Sequence, residues 1–247
     1  MMTRGGYGVY GQDVGVLVLD TRFPRIHGDI ANARTFPFPI RYKVVQAATQ
    51  TEIVATADRA RKLLPNFIAA ARQLEEEGVK AITTTCGFLT VVQEEIAEAV
   101  TVPVVTSSLF LVPLIRAMVG NKTIGIVTAN AASLSERHLS AAGIVLGGKT
   151  VLRGLEDSVA FRSAILETEG KDVFEIDVDA VEKEIVAACR SLRDAHPDLS
   201  VIVLECTNLQ PFAEAVQRET GLPVFGIFHL VQMLQSGVRA PRFDKAL

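Results

Sequence analysis

The sequence predicts an α/β protein with parallel sheets, and three observations support this fold class. Short apolar runs rich in β-branched residues occur between longer amphipathic stretches, which is the pattern of repeated βαβ units. The short runs are apolar throughout, as expected for strands that helices cover on both faces. A strand–cysteine–helix segment also occurs twice along the 247-residue chain, which favours two related halves around a shared cleft.

The apolar pattern assigns most of the chain to strands and helices. The predicted strands are 14–19, 42–46, 79–84, 102–106, 122–127, 149–152, 200–204 and 224–226. The predicted helices are 57–77, 88–99, 109–119, 131–141, 159–166, 179–195, 209–220 and 227–235. Residues 21–41 have no clear period and carry three Pro, three Phe and four Arg, so we expect a long functional or mobile loop there.

An internal repeat appears when the sequence is shifted by 120 residues, which aligns 81–112 with 201–232. Six aligned positions are identical, and Cys86 with Cys206 is one of them. Each copy reads as a strand, a cysteine, a helix, a proline and a second strand. The matched cysteines therefore occupy the same predicted structural position in the two copies.

A second echo upstream pairs Gly15 with Gly125 and Asp20 with Asn130. Together the two echoes extend the repeat over most of the chain and predict two pseudo-symmetric lobes. The predicted lobes are residues 1–114 with 222–247, carrying Cys86, and residues 115–221, carrying Cys206.

Composition and charge exclude several kinds of partner. The net charge is −3 and there is no basic stripe, so nucleic acid is not an expected partner. The apolar runs are short and the N-terminus lacks the apolar core of a secretory signal, so we expect a cytoplasmic protein without membrane association. The four histidines lack metal-ligand spacing, and no glycine-rich phosphate loop follows the first strand, so no metal or other cofactor is expected.

The repeated cysteines are the candidate catalytic residues. Cys86 and Cys206 are expected at the carboxyl ends of parallel strands, where α/β sheets bind ligands. Free N–H groups at the start of the following helix favour the thiolate and predict a lowered thiol pKa. Two facing thiols suit racemisation, because one removes a proton from one face of a carbon and the other delivers a proton to the opposite face. Cys189 has apolar neighbours at helical spacing and is interpreted as core.

The two cysteine motifs, AITTTCGFL and VIVLECTNL, their separation and their βαβ setting resemble the aspartate/glutamate/hydantoin racemase superfamily. The resemblance covers most of the chain and implies two flavodoxin-like lobes related by a pseudo-twofold axis, no cofactor and a small carboxylate substrate between the lobes. It also implies that Asp20, at the end of the first strand, assists Cys86. Gly87 and Asn208 stand where glutamate racemases have Asn and His, which disfavours glutamate itself as the substrate.

Polar groups near the predicted strand ends are candidate ligands for the substrate carboxylate, although helix capping is the commoner role of any single one. The arginines of the 21–41 loop are a further candidate anion site, and its phenylalanines are a candidate lid. Glu205 is interpreted as facing away from the site, because adjacent residues on a strand point to opposite faces. The predicted substrate-binding residues are Thr85, Gly87, Ser107, Thr128, Asn130, Thr207 and Asn208.

The leading expectation is a cofactor-independent racemase or epimerase that acts at the α-carbon of a small amino acid or related carboxylate. One alternative is a maleate-type cis–trans isomerase or a decarboxylase with a nucleophilic cysteine. Others are a non-catalytic dicarboxylate-binding protein and a redox switch in which Cys86 and Cys206 form a disulfide. A homo-oligomer is compatible with each of these functions.

Overall fold

The computed structural model describes residues 5–145, 149–168 and 170–244, and it confirms an α/β fold with parallel sheets. The central strands β1 and β4 are buried along their whole length, which is why their sequences are continuously apolar. The strands are β1 Val14–Leu19, β2 Ile40–Val45, β3 Ala81–Thr84, β4 Thr123–Thr128, β5 Thr150–Gly154, β6 Leu199–Leu204 and β7 Val224–Phe225.

Helices connect the strands, and no helix in the described part of the chain is long and apolar enough to cross a membrane. The α-helices are α1 Gln50–Ala55, α2 Ala57–Lys62, α3 Leu64–Glu76, α4 Gln93–Glu98, α5 Leu111–Val119, α6 Glu136–Ala141, α7 Val159–Phe161, α8 Val178–Ala195, α9 Ala213–Thr220 and α10 Ile227–Val238. Shorter 3₁₀-helices span Gly87–Val92, Ser108–Phe110 and Thr207–Phe212, and a π-helical turn at Arg162–Leu166 continues α7.

The strands form two sheets, in the orders β2-β1-β3 and β5-β4-β6-β7, and every pairing is parallel. The internal repeat is visible in the pairing. Ile82 of β3 makes a parallel bridge to Val104, and Ile202 of β6 pairs with Val224 of β7. The predicted strand 102–106 is thus reduced to a single bridge, whereas its second copy forms a short strand.

Gly15 and Gly125, which the repeat pairs, lie where a helix packs closely on a sheet. A Cβ at Gly15 would lie 2.9 Å from Leu74 Cδ1 of α3, and a Cβ at Gly125 would lie 2.7 Å from Leu192 Cδ2 of α8. A side chain at either position would collide with a buried leucine. In both lobes, glycine therefore lets the helix pack directly on the central strand.

The helix that follows each sheet contacts the other sheet. Arg116 of α5, which follows the first sheet, donates hydrogen bonds to the carbonyls of Lys122 and Lys149 at the start of the second sheet. Helix α10, which follows β7, packs against β1 and β3. Strand β7 itself pairs with β6, so residues 224–225 lie in the second sheet, although the predicted boundary assigned them to the first lobe.

Two apolar cores hold these layers together. The larger core contains residues of both sheets, including Val16 and Ile126, together with α10. The smaller core lies under α8 and α9, and the completely buried Cys189 belongs to it, as its helical spacing predicts. One predicted helix, 57–77, is divided because α2 ends at Lys62 and α3 begins at Leu64. Pro65 lies in the first turn of α3, where its missing N–H costs nothing.

The glycine contact predicts opposite effects for two similar substitutions. Gly125→Ala should destabilise the protein by about 1–3 kcal/mol, because the added methyl overpacks the core against Leu192. Gly237→Ala, at an open position in α10, should stabilise it by about 0.5–1 kcal/mol, because alanine lowers the backbone entropy of the unfolded chain. Urea unfolding of both variants measures the difference, and equal effects would contradict the proposed packing.

Candidate active site

Cys86 and Cys206 line the same narrow cavity, whose volume is about 20 Å³, roughly the space of one water molecule. Cys86 comes two residues after β3, and Cys206 comes two residues after β6, so both lie at the carboxyl ends of strands in different sheets. The apolar part of the described lining is Leu19, Phe23, Val54 and Phe88, and the polar part is Thr21, Arg25, Gln50, Thr85, Glu205 and Asn208.

Each thiol stands at the start of a 3₁₀-helix. The backbone N–H of Phe88 reaches the sulfur of Cys86, and that of Asn208 reaches the sulfur of Cys206. Thr84 fixes the turn at Cys86 because its Oγ1 accepts the Cys86 N–H at 3.2 Å and donates to the Thr106 carbonyl at 2.7 Å. The shared geometry follows from the repeat, since both cysteines occupy the same step from strand to helix.

The thiol pKa values move in the direction opposite to the one expected from helix starts. Burial is the main cause and raises the pKa of Cys86 to about 12. Burial also raises the pKa of Cys206 well above its ordinary value, and the carboxyl of Glu205 adds to the rise at both thiols. The N–H groups of Phe88 and Asn208 lower the two pKa values by less than burial raises them. The thiols are therefore protonated at neutral pH in this closed cavity.

Glu205 lies inside the site, so the prediction that it faces away is wrong. The chain leaves β6 at Leu204 and turns into the 3₁₀-helix Thr207–Phe212, so strand alternation does not apply at Glu205. The side chain is 0% exposed, and its Oε2 accepts a hydrogen bond of 2.6 Å from the Thr128 hydroxyl. Burial raises the pKa of Glu205 to about 7, although the Thr128 hydrogen bond opposes the rise.

Gly87 provides the space that Glu205 fills. A Cβ at Gly87 would lie 2.1 Å from Glu205 Oε1, so no other residue fits here without moving the carboxyl. On the other side of the pseudo-twofold axis, the Thr207 hydroxyl donates to the Thr85 carbonyl at 2.7 Å. The repeat relates residue 85 to 205 and residue 87 to 207, so these two contacts are symmetry-related. They join the two lobes beside the thiols.

A chain of polar groups leads from Cys206 to Arg25. The thiol of Cys206 donates to Asn208 Oδ1 at 3.6 Å, and Asn208 Nδ2 donates to Asp29 Oδ2 at 2.8 Å. Asp29 is buried and forms an ion pair of 3.1 Å with Arg25, which also donates to Thr21 Oγ1 at 2.7 Å. This chain holds the amide of Asn208 with its oxygen toward the sulfur, which favours the protonated thiol.

The remaining predicted site residues are placed as follows. Thr85 lines the cavity, and its hydroxyl accepts the Leu19 N–H at 3.0 Å. Ser107 is buried and caps the Leu109 N–H at 3.1 Å, while Asn130 accepts the Ser133 N–H at 3.0 Å. Both of these side chains thus have the capping role that is the commoner one for their residue types.

Asp20, Thr128 and Thr207 are near the site but outside the described lining of this cavity. Asp20 borders a neighbouring depression with Thr49 and Gln50, and its N–H donates to the Ala48 carbonyl at 3.0 Å. Thr128 reaches the site only through Glu205, and Thr207 through the backbone of Thr85. The assignment of Asp20 as an assistant to Cys86 stays a prediction.

The 21–41 loop is divided between the site and the core. Arg25 and Phe23 line the cavity, with the guanidinium carbon 4.1 Å from the ring centroid. Phe36 instead stacks on Phe228 of α10, at a centroid distance of 5.4 Å, and Arg41 pairs with Glu77 at the surface. One arginine and one phenylalanine of the loop therefore face the site, instead of a cluster of each.

Gln50 is a site residue that the sequence did not indicate. It is the first residue of α1 and is 8% exposed, and its Oε1 has no hydrogen-bond partner among the described residues. No repeat or period marks this position, and only a fold places it against the cavity. Within residues 5–145, 149–168 and 170–244, no group of three His, Cys, Asp or Glu side chains is arranged to hold a metal ion.

Comparison with known proteins identifies the family of this chain. A family model described as Asp/Glu/Hydantoin racemase matches residues 30–231. The chain belongs to this family. Among solved structures, family members such as allantoin racemase from Klebsiella pneumoniae share the fold, with a TM-score of 0.61 and 17% identity over 95% of this chain and 96% of that one. Arylmalonate decarboxylase gives a TM-score of 0.59 and 18% identity over 92% of this chain and 95% of that one.

Curated relatives are more similar in sequence, and their names indicate another reaction. Dimethylsulfoniopropionate lyase from Durusdinium sp. clade D is 33% identical over 237 residues, which are 93% of this chain and 76% of that protein. Dimethylsulfoniopropionate lyase 3 from Emiliania huxleyi (strain CCMP1516) is 31% identical over 240 residues, also 93% of this chain. The chain spans only 61% of the length of this second relative.

These relatives overturn the expectation of an amino-acid racemase. Solved structures of allantoin and glutamate racemases are 16–18% identical to this chain, whereas the Durusdinium lyase is 33% identical. The alternative that named a decarboxylase agrees better with the relatives, because a decarboxylase is also a lyase. The racemase prediction rested on residues suited to proton removal, and such residues do not by themselves distinguish a racemase from a lyase.

The buried carboxyl predicts how stability depends on pH. Because the pKa of Glu205 is raised from an ordinary 4.5 to about 7, the folded protein holds a proton that the unfolded chain has lost between these values. The wild type should therefore lose stability as the pH rises through this range, by an amount on the order of 3 kcal/mol. Glu205→Gln removes this loss.

Thermal unfolding at about pH 5.5 and about pH 8.5 measures the effect. The melting temperature of Glu205→Gln, relative to that of the wild type, should be higher at about pH 8.5 than at about pH 5.5. Cys189→Ala is the control, because burial raises the pKa of that thiol to about 12 and it does not titrate in this range. A pH-independent difference between Glu205→Gln and the wild type would contradict the raised carboxyl pKa.

Proposed function

We propose that this chain is a dimethylsulfoniopropionate lyase that uses a thiol of the cavity as its base. The observation that carries the proposal is the similarity to lyases of that name over 93% of the chain, which includes both cysteines of the shared cavity. The proposal changes the expected reaction but keeps the small carboxylate substrate and the proton removal for which two thiols are suited.

The proposed reaction is a β-elimination with one base. The thiol first gives its proton to water. The resulting thiolate takes a proton from the carbon next to the carboxylate, and the electrons of that C–H bond form the new carbon–carbon double bond. The bond from the β-carbon to sulfur breaks, and its electron pair leaves with the sulfur. The products are neutral dimethyl sulfide and acrylate, and the thiol is regenerated. The leaving group needs no proton, so the reaction requires no general acid.

The polar part of the cavity supports binding of the carboxylate end. Arg25 supplies a positive charge, Thr21 a hydroxyl and Gln50 a side-chain amide. Hydrogen bonds to a carboxylate in such an enclosed site withdraw negative charge from it, which makes the neighbouring C–H bond more acidic. The substrate would then lie with its carboxylate toward Arg25 and its α-carbon near the sulfurs.

The reaction predicts unequal effects of the two thiols. A racemase needs both thiols equally, whereas elimination needs one base, so Cys86→Ala and Cys206→Ala should differ. Loss of the base should lower the rate by about 100-fold or more, and loss of the other thiol should cost less. Gas chromatography of dimethyl sulfide and NMR of acrylate measure the rate of each variant on dimethylsulfoniopropionate.

Cys189→Ala is the matched control. That thiol lies in the core under α8, so its removal should leave the rate nearly unchanged. The two products should appear in equal amounts. Absence of dimethyl sulfide from the folded wild-type protein would refute the proposed function. Full activity of the double variant Cys86→Ala/Cys206→Ala would refute the role of the thiols.

A further inference from the structure

Glu205 has one carboxyl oxygen that the protein leaves free. Oε2 accepts the hydrogen bond from Thr128, but Oε1 is buried and has no partner among the described residues. A buried polar atom without a partner is destabilising, and more so when the group is charged. The side chain is completely buried and belongs to the cavity lining, and its free oxygen lies beside Gly87, which is another lining residue.

The positive charge of Arg25 is not directed at Glu205. The guanidinium of Arg25 forms the ion pair with Asp29 and donates to Thr21. The influences on the pKa of Glu205 are burial and the hydrogen bond from Thr128, with no contribution from a cation. An ionised Glu205 therefore has no counter-charge from the protein and would gain most from a positively charged ligand.

The surroundings of Glu205 favour one kind of cation. A sulfonium or quaternary ammonium group has no N–H or O–H, so it needs charge and apolar contact in place of hydrogen-bond acceptors. The cavity offers the aromatic rings of Phe23 and Phe88 and the side chains of Leu19 and Val54 around the thiols. A primary ammonium would lose its hydration here and find two unpartnered acceptors in the described lining, Glu205 Oε1 and Gln50 Oε1, for its three protons.

We infer that Glu205 is the specificity-determining residue of this site and binds the cationic end of an onium carboxylate. This inference rests on the proposed function and extends it, because it assigns the positive end of the substrate to one side chain. It predicts that the site binds substrates with a sulfonium or quaternary ammonium group at the β-carbon more tightly than uncharged acids of the same shape.

A cation bound at Glu205 would also affect the thiol that acts as the base. The Glu205 carboxyl raises the pKa of both thiols, and a cation beside it would offset that effect. A bound onium group would thus ease ionisation of the neighbouring thiol. Uncharged acids would leave the thiols protonated, so charge at the substrate serves both recognition and activation.

Two inert probes test the inference. One probe is 3-(trimethylammonio)propionate, and the other is 4,4-dimethylpentanoate, which has the same shape but carries carbon in place of the charged nitrogen. Isothermal titration calorimetry measures their binding to the full chain, and dimethyl sulfide release is assayed on the same samples. Wild type should bind the cationic probe about 10-fold tighter or more. Glu205→Gln should lose that preference and keep its affinity for the neutral probe.

Two further variants sharpen the test. Gly87→Ala pushes on Oε1 and should reduce the preference in the same direction, which keeps the test valid should Glu205→Gln fold poorly. Glu214→Gln, which removes an exposed carboxylate from α9, should keep the wild-type preference. Equal affinities of the wild type for the two probes, or a preference that persists in Glu205→Gln, would overturn the inference.

The binding and activity assays separate the two proposals. Dimethyl sulfide release without a charge preference would support the lyase and refute the role of Glu205. A preference that depends on Glu205, without release of dimethyl sulfide, would support the cation site and refute the lyase. Binding of neither probe would overturn the cation site.

Discussion

The site depends on one constraint, which is that a carboxyl group enclosed away from water needs both space and a hydrogen-bond donor. Gly87 in one lobe supplies the space, and Thr128 in the other supplies the donor. The lobes must therefore stay close for Glu205 to keep its position. That closeness also encloses the thiols, so burial sets their pKa values more strongly than the helix starts do.

The scaffold is symmetric, but the chemistry on it is not. Positions related by the repeat hold Thr85 against Glu205 and Phe88 against Asn208. One thiol thus lies beside an aromatic ring, and the other donates to an amide that Asp29 fixes. A racemase benefits from equivalent groups on the two faces of a carbon, whereas an elimination uses one base. The departure from symmetry fits the second kind of reaction better.

The sequence was informative where a pattern repeats and uninformative where tertiary placement decides. The parallel sheets and the joint location of Cys86 and Cys206 follow from the repeat and the rules of parallel sheets. Glu205 was misplaced because alternation was applied one residue beyond the end of β6. Gln50 and Asp29 lie in segments without a period, and only the folded chain brings them to the cavity. The thiol pKa values depend on burial, which local sequence does not reveal.

The exchange of terminal helices between the lobes has a consequence for folding. Helix α5 binds the start of the second sheet, and α10 packs on β1 and β3 of the first sheet. Each half of the chain therefore provides a helix that covers the other half. Contacts that join distant parts of the chain are costly to form early. We therefore expect that neither half folds alone and that the molecule unfolds cooperatively. A gene fragment encoding one lobe would expose the apolar faces that the missing helix covers.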